Sequence, residues 1–176
     1  MMNDVGMVRL VLGNLISVAQ IICLTISCCA STRRRVYLYQ FTETALCAVA
    51  TIFFGAWSGL STLVIALYRN WRTMEDKFSK TDMIVTGSLT VVIGLAVNTD
   101  GWIGLLPIIA TLQLTAFNHY VEDVKLTRIG VLINVVMWGI YAFGIRNYVG
   151  GVGEIVTLVI GVIALMRMEK GAAYSV

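Results

Sequence analysis

Residues 43–70 read ETALCAVATIFFGAWSGLSTLVIALYRN, a stretch charged only near its two ends. Whether it is one membrane helix or two folded back on each other decides how often the chain crosses a bilayer. It lies in an apolar block over 37–68, roughly 31 residues, which as a single helix is about 46 Å long. A hydrocarbon core is about 30 Å thick and takes about 20 residues, so one helix is too long. The centre, FGAWSG at 54–59, is turn-like, because glycine breaks helices and permits tight reversal. The last apolar block, 129–167, is longer still and has a similar centre, GIRNYVGGVG at 144–153. Trp57 and Tyr148 beside these turns suit a membrane–water interface.

Splitting both blocks predicts seven spans, and the distribution of cations is an independent check. One side then holds Arg33, Arg34, Arg35, Arg69, Arg72, Lys77, Lys80, Lys125, Arg128, Arg167 and Lys170, which is 11 of the 13 Lys and Arg. The other side keeps Arg9 and Arg146. By the positive-inside rule the N-terminus is expected outside and the C-terminus in the cytoplasm. Two of the spans, 57–71 and 83–97, have only about 15 apolar residues, so their helices must extend past the apolar core or the bilayer must thin beside them.

Composition agrees with a membrane protein. The chain has 176 residues, 58% hydrophobic and 13% charged, with a mean hydropathy of +0.83; soluble domains carry about 25% charged residues. The first apolar stretch, about 5–30, has no small-residue cleavage site before the arginine cluster and reads as a retained span. A net charge of +3 is too small to point to nucleic acid. Cys23, Cys28, Cys29 and Cys47 lack paired CxxC spacing and read as packing residues.

The chain also repeats itself faintly. IALYR ends at Arg69 and IALMR at Arg167, an offset that also pairs Gly55 with Gly153, while a slightly shorter offset pairs Gln20 with Gln113 and Arg35 with Arg128. The layout predicts a 3+1+3 arrangement: a first three-helix repeat in 1–72, a linker with one helix in 73–100, and a second repeat in 101–176. With one helix between them, the two repeats are parallel.

LLPIIATL at 105–112, LTRIGVLINVVMWGIYAF at 126–143, GGVGE at 150–154 and ALMR at 164–167 resemble the YgjV-type family of bacterial inner-membrane proteins. In the first half Arg34, Arg35, Gln40, Gly55 and Arg69 also suit that pattern. The family is distantly similar to SWEET-type and PnuC-type (MtN3-like) transporters. The resemblance implies an all-α polytopic protein of the cytoplasmic (inner) membrane. In such families an Asn often stands in the third helix of each repeat, and STLVIALYR and TLVIGVIALMR hold none.

No HExxH, GxSxG, Walker or GxGxxG pattern occurs, so neither enzyme chemistry nor a cofactor is expected. His119 reads as an interfacial residue. Polar residues inside apolar spans are the candidates, because they are costly there. Asn134, Trp138 and Tyr141 follow at steps of four and three and share one helix face. Such a face suits a planar or sugar-like ligand, or equally interhelical packing. Gln20 and Gln113 either line a central path from both halves or bond helices together. Glu43 is a coupling group or the partner of a nearby cation; Glu154, placed near the outer start of the last span, is a gating group or a carboxylate stabilised by a helix N-terminus. Pro107 resembles the hinge prolines of SWEET-like proteins. Gly55 and Gly59 read as close packing at the hairpin.

The expected function is a small-molecule transporter or facilitator, with solute held between two repeats and access alternating as they rock. The alternative is a non-transporting membrane subunit or assembly partner of another membrane protein. The expected partners are the lipid bilayer and a small-molecule solute, with a homo-oligomer compatible with either reading.

Overall fold

The structure is a computed structural model that describes residues 4–173. It contains seven helices: α1 (Asp4–Cys29), α2 (Arg33–Phe54), α3 (Trp57–Met74), α4 (Lys80–Ala96), α5 (Leu105–Tyr120), α6 (Val124–Gly144) and α7 (Tyr148–Ala173). The stretch 43–70 is two helices. Its reversal is tighter than the glycine-rich run suggests: α2 stops at Phe54 and α3 begins at Trp57. Gly55 makes the turn with φ 68°, and its N–H reaches back to the Ile52 carbonyl. The second long block reverses over three residues, 145–147, where Arg146 takes φ 63°. Asn147 accepts from the Gly150 N–H at 2.9 Å, so its side chain caps the start of α7.

Other helix starts are similarly encoded. Asp123 accepts from the Leu126 N–H at 2.8 Å ahead of α6, and Ser79 and Asp82 form a reciprocal capping box at α4. Pro107 does not stand in mid-helix. It is the third residue of α5, where an N–H has no intrahelical acceptor anyway, so its ring removes no hydrogen bond and needs no kink.

The helices pack as a ring. α1 lies against α2 and α7, α2 against α3, α3 against α5, α5 against α6 and α6 against α7, while α4 packs on α3 and α5 from outside. The arginine-rich turns gather at one end, where Arg33 meets Asp76 at 3.2 Å and donates to the Asn118 carbonyl at 2.7 Å. We call this the basic end. At the opposite end the Ser58 hydroxyl donates to the Gly104 carbonyl at 2.8 Å.

The distribution of side chains is that of a lipid-exposed bundle. Val, Ile and Leu cover the outside, while Ser17, Ser27, Ser58, Thr62, Thr90 and Thr157 are fully buried. Small hydroxyl residues let backbones approach and supply interhelical bonds where lipid gives no hydrophobic drive; Thr25 and Thr157 meet at 2.9 Å between α1 and α7. One apolar cluster joins Leu24, Val36, Leu114, Val131 and Val135 across the ring.

Among the described residues four stretches are long and apolar enough to cross a membrane: Gly6–Cys29, Arg33–Phe54, Val124–Gly144 and Tyr148–Met168. α3, α4 and α5 have 18, 17 and 16 residues, which makes them about 24–27 Å long.

Gly55 gives a direct check on the reversal. A Cβ there meets nothing within 4 Å, so the strain of a substitution is purely that of a positive φ. Gly55→Ala is expected to cost about 1 kcal/mol, and Gly55→Asn less, read as lowered melting temperatures of the detergent-purified protein.

Candidate functional site

At the centre of the ring lies a cavity of about 30 Å³. It has room for about two water molecules, well short of the ~300 Å³ or more typical of small-molecule pockets. Each of the six ring helices contributes to its wall: Leu24 from α1; Gln40, Glu43 and Thr44 from α2; Arg69 and Asn70 from α3; Thr111 and Leu114 from α5; Asn134 and Trp138 from α6; and Glu154 from α7. α4 contributes nothing.

The polar wall is built by helical spacing. Gln40, Thr44, Cys47 and Thr51 fall on one buried face of α2, and Thr62, Ala66, Arg69 and Thr73 on one of α3. These faces hold a continuous hydrogen-bond chain. The Arg69 guanidinium donates through Nη2 to Asn70 Oδ1 at 3.1 Å and through Nη1 to the Thr111 carbonyl at 3.0 Å and to Thr115 Oγ1 at 3.3 Å. Asn70 Nδ2 donates to Thr44 Oγ1 and Gln20 Nε2 to Glu43 Oε1, each at 3.1 Å; the single Thr44 hydroxyl proton is shared between the Gln40 carbonyl at 2.6 Å and Glu43 Oε2 at 3.1 Å. The chain therefore runs from α5 through α3 and α2 to α1.

Glu154 stands apart from it. The residue is 5% exposed, and its Oε2 has no hydrogen-bond partner. It does not begin its helix: α7 starts six residues earlier, at Tyr148. That is beyond the first turn, where the helix dipole fades, so an N-terminal dipole does not account for a carboxyl there.

The structure places the residues of the Asn134–Trp138–Tyr141 face in two different surroundings. Asn134 and Trp138 reach the cavity, and Asn134 also donates to the Ala110 carbonyl at 2.8 Å. Tyr141 does not line it. Its hydroxyl accepts from the Gly59 N–H and donates to Asp100 Oδ2, both at 3.1 Å, tying α6 to the start of α3 and to the α4–α5 loop. The ring lies so close that a Cβ on Gly59 would meet it, which explains the glycine. Trp138 touches Tyr141 edge-to-face, centroids 5.6 Å apart. Tyr141→Phe would leave the Gly59 N–H without its acceptor, an expected loss of about 1–3 kcal/mol seen as a lower melting temperature.

Gln20 and Gln113 do not play matched parts. Gln20 donates to Glu43 and Gln113 to the Gly130 carbonyl at 3.3 Å, and neither lines the cavity itself. Pro107 is buried near the non-basic end, also outside the wall.

Arg69 is the largest departure from expectation. Counted among the loop cations, it is 3% exposed at the core of the site. Arg128 is likewise buried, 5% exposed, and donates to the Cys29 and Ala30 carbonyls at the end of α1. Asn70 lies one residue past the apolar run STLVIALYR, inside an α3 that continues to Met74. Toward the basic end the Asn118 amide sits 2.7 Å from the Tyr37 hydroxyl and 3.1 Å from Thr73 Oγ1.

A family model described as a bacterial inner membrane protein, Imp-YgjV, matches residues 11–172, all but the ends of the chain. The chain belongs to the Imp-YgjV family. It is thus a multi-pass protein of the bacterial inner membrane, in accord with its membrane-length helices. Comparison with curated proteins and with solved structures gives no match. The Imp-YgjV match covers every residue of the cavity wall, so the site lies wholly within the family's span.

Proposed function

We propose that this Imp-YgjV protein is a small-molecule transporter or facilitator, with its solute bound in the central cavity between two three-helix halves. One observation carries the reading: a polar cavity containing two carboxyls, a guanidinium and side-chain amides, walled by six different helices. Burying such groups in a membrane is costly, and a bundle held together by polar bonds alone does not need unpartnered oxygens at its centre.

The packing pattern supports two related halves. α1–α2–α3 and α5–α6–α7 each form a consecutive row, and the contacts that join them, α1 with α7 and α3 with α5, correspond under that relation. α4 then serves as the linking span. The seven-span reading is supported by exposed aromatic residues at both ends of the short helix α3, Trp57 at its start and Tyr68 and Trp71 near its end. Removing Arg69 and Arg128 from the loop cations leaves the bias toward the basic end, which we place in the cytoplasm with the C-terminus.

With a volume of about 30 Å³ the cavity corresponds to a closed state, and solute entry requires the halves to part. The hydrogen bonds of Tyr141 at one end and the Tyr37–Asn118–Thr73 set at the other are suited to act as the two closures.

The test is a ligand panel of sugars, nucleosides, vitamins, amino acids and amines on the detergent-purified protein. A ligand selective for the folded state raises the melting temperature by mass action. A saturable rise for one class, reduced at least tenfold in affinity by Asn134→Ala and followed by uptake of that compound into proteoliposomes, is the expected result. Binding without uptake would instead favour a non-transporting subunit that senses the compound.

A further inference from the structure

The charges around the cavity do not balance by pairing. Among the described residues, neither Glu43 nor Glu154 forms an ion pair; the ion pairs present lie near the basic end, at Arg33–Asp76, Arg72–Asp82 and Lys77–Glu75. Arg69 gives its donors to Asn70, Thr111 and Thr115, which are neutral. On the cavity wall the buried side-chain atoms without a partner are Glu154 Oε2 and the amide oxygen of Gln40, both acceptors, and the amide oxygen of Gln20, which holds Glu43, is a third just behind it. What is missing from such a wall is a donor with positive charge, and the indole of Trp138 beside it is a surface that attracts cations.

We infer that the solute is a small protonated amine, and that it and a proton compete for the Glu43–Glu154 pair, so that the protein exchanges one for the other. This rests on the transport reading above and names its substrate class. With Arg69 at +1, the set is neutral when the two carboxyls share one proton. With both ionised it is neutral when one monovalent cation is present. An incoming amine therefore displaces the proton, which leaves to water, and an incoming proton displaces the amine. Charge inside a membrane is tolerated only when compensated, so the fully ionised, empty site is the unfavourable state that both ligands relieve.

The other ionisable groups facing the pair are few. Arg69 comes from α3, Cys47 from α2, and Cys23 and Cys28 from α1. α5 and α6 present only Thr111, Leu114, Asn134 and Trp138 to the cavity beside Val135. The thiols are neutral, so the balance depends on the two acids and Arg69.

Methylammonium and ethanolammonium chlorides, their neutral counterparts methanol and ethylene glycol, and sodium chloride would be titrated into the full-length protein in weakly buffered detergent. Melting temperature and released protons are both recorded. The expected result is a saturable shift for the amines alone, with about one proton released per amine bound. Glu154→Gln should lower amine affinity at least tenfold and abolish proton release. Glu43→Gln serves as the second variant should Glu154→Gln fail to fold, with the same expectation. Equal shifts from sodium would overturn the amine assignment in favour of a metal-ion site. Amine binding without proton release, or unchanged in both variants, would overturn the competition. Saturable binding of a neutral panel solute, lost in Asn134→Ala, would overturn the charge assignment while leaving the transport reading in place. No binding by any compound would overturn both.

Discussion

Arg69→Met is expected to cost about 3–5 kcal/mol, the range for stripping one charge from a buried, hydrogen-bonded polar set. The substitution keeps much of the side-chain volume, so the loss reads electrostatics and hydrogen bonding more than packing. Asn70 Oδ1 and Thr115 Oγ1 lose their donor, and the Thr111 carbonyl keeps only the Thr115 hydroxyl among side-chain donors. Two carboxyls then face the cavity with no cation on the wall. Arg69→Lys should recover part of the loss, since an ammonium restores the charge but cannot span acceptors on two helices as a planar fork does. The discriminating comparison is Arg69→Met with Glu43→Gln. If the two sites share one charge balance, the double variant is more stable than the sum of the single losses, by about 0.5–3 kcal/mol. Melting of the four proteins in one detergent provides the cycle; strict additivity would show that Arg69 acts through its helix contacts alone.

Trp138→Ala is the second large effect, about 3 kcal/mol, at the lower end for Trp truncation because the indole is only half-buried. The ring packs against Cys47, Ala48 and Leu63, meets Tyr141 edge-on, and forms one side of the cavity. Its removal joins the cavity to the space it filled. Trp138→Phe retains the apolar packing and is expected to restore most of the stability. Amine affinity is a separate readout: if the indole attracts the solute's charge, Phe should weaken binding severalfold even where the melting temperature recovers. Equal affinity in the Phe variant and the parent would limit Trp138 to packing.

The fold was legible where sequence imposes hard limits. Apolar runs longer than a bilayer had to fold back, and glycine at 55 marked where. Element ends were less so, because a helix continues past its apolar core for as long as its polar residues can be buried. That same fact hid half of the site. Arg69, at the end of the apolar run, was counted among the cations outside the membrane, and Asn70 beside it was not considered, yet α3 carries both inward. Glu43, Glu154, Asn134 and Trp138 were visible because each interrupts an apolar run. Gln40 was noted only as suiting the family pattern and Thr44, Thr111 and Thr115 were not singled out, although their spacing of four within α2 and α5 is the signal of one polar face. Tyr141 shows the limit of such spacing: it shares a face with Trp138, but one turn further along the axis its hydroxyl has passed the cavity and meets the start of α3.

The contact between α1 and α7 has a consequence for how the protein is made. Ser17 and Asn147 meet across 130 positions, and Thr25 and Thr157 across 132. At ribosomal rates α7 emerges on the order of ten seconds after α1. Glu43 needs no such wait, since its partner Gln20 lies on the preceding helix and is in place as soon as the first hairpin inserts. The flank of α1 destined for α7 faces lipid or a holding factor until synthesis reaches the last helix. A nascent chain stalled after α6 would therefore expose Ser17 and Thr25 to crosslinking from the bilayer, and release of α7 would silence both.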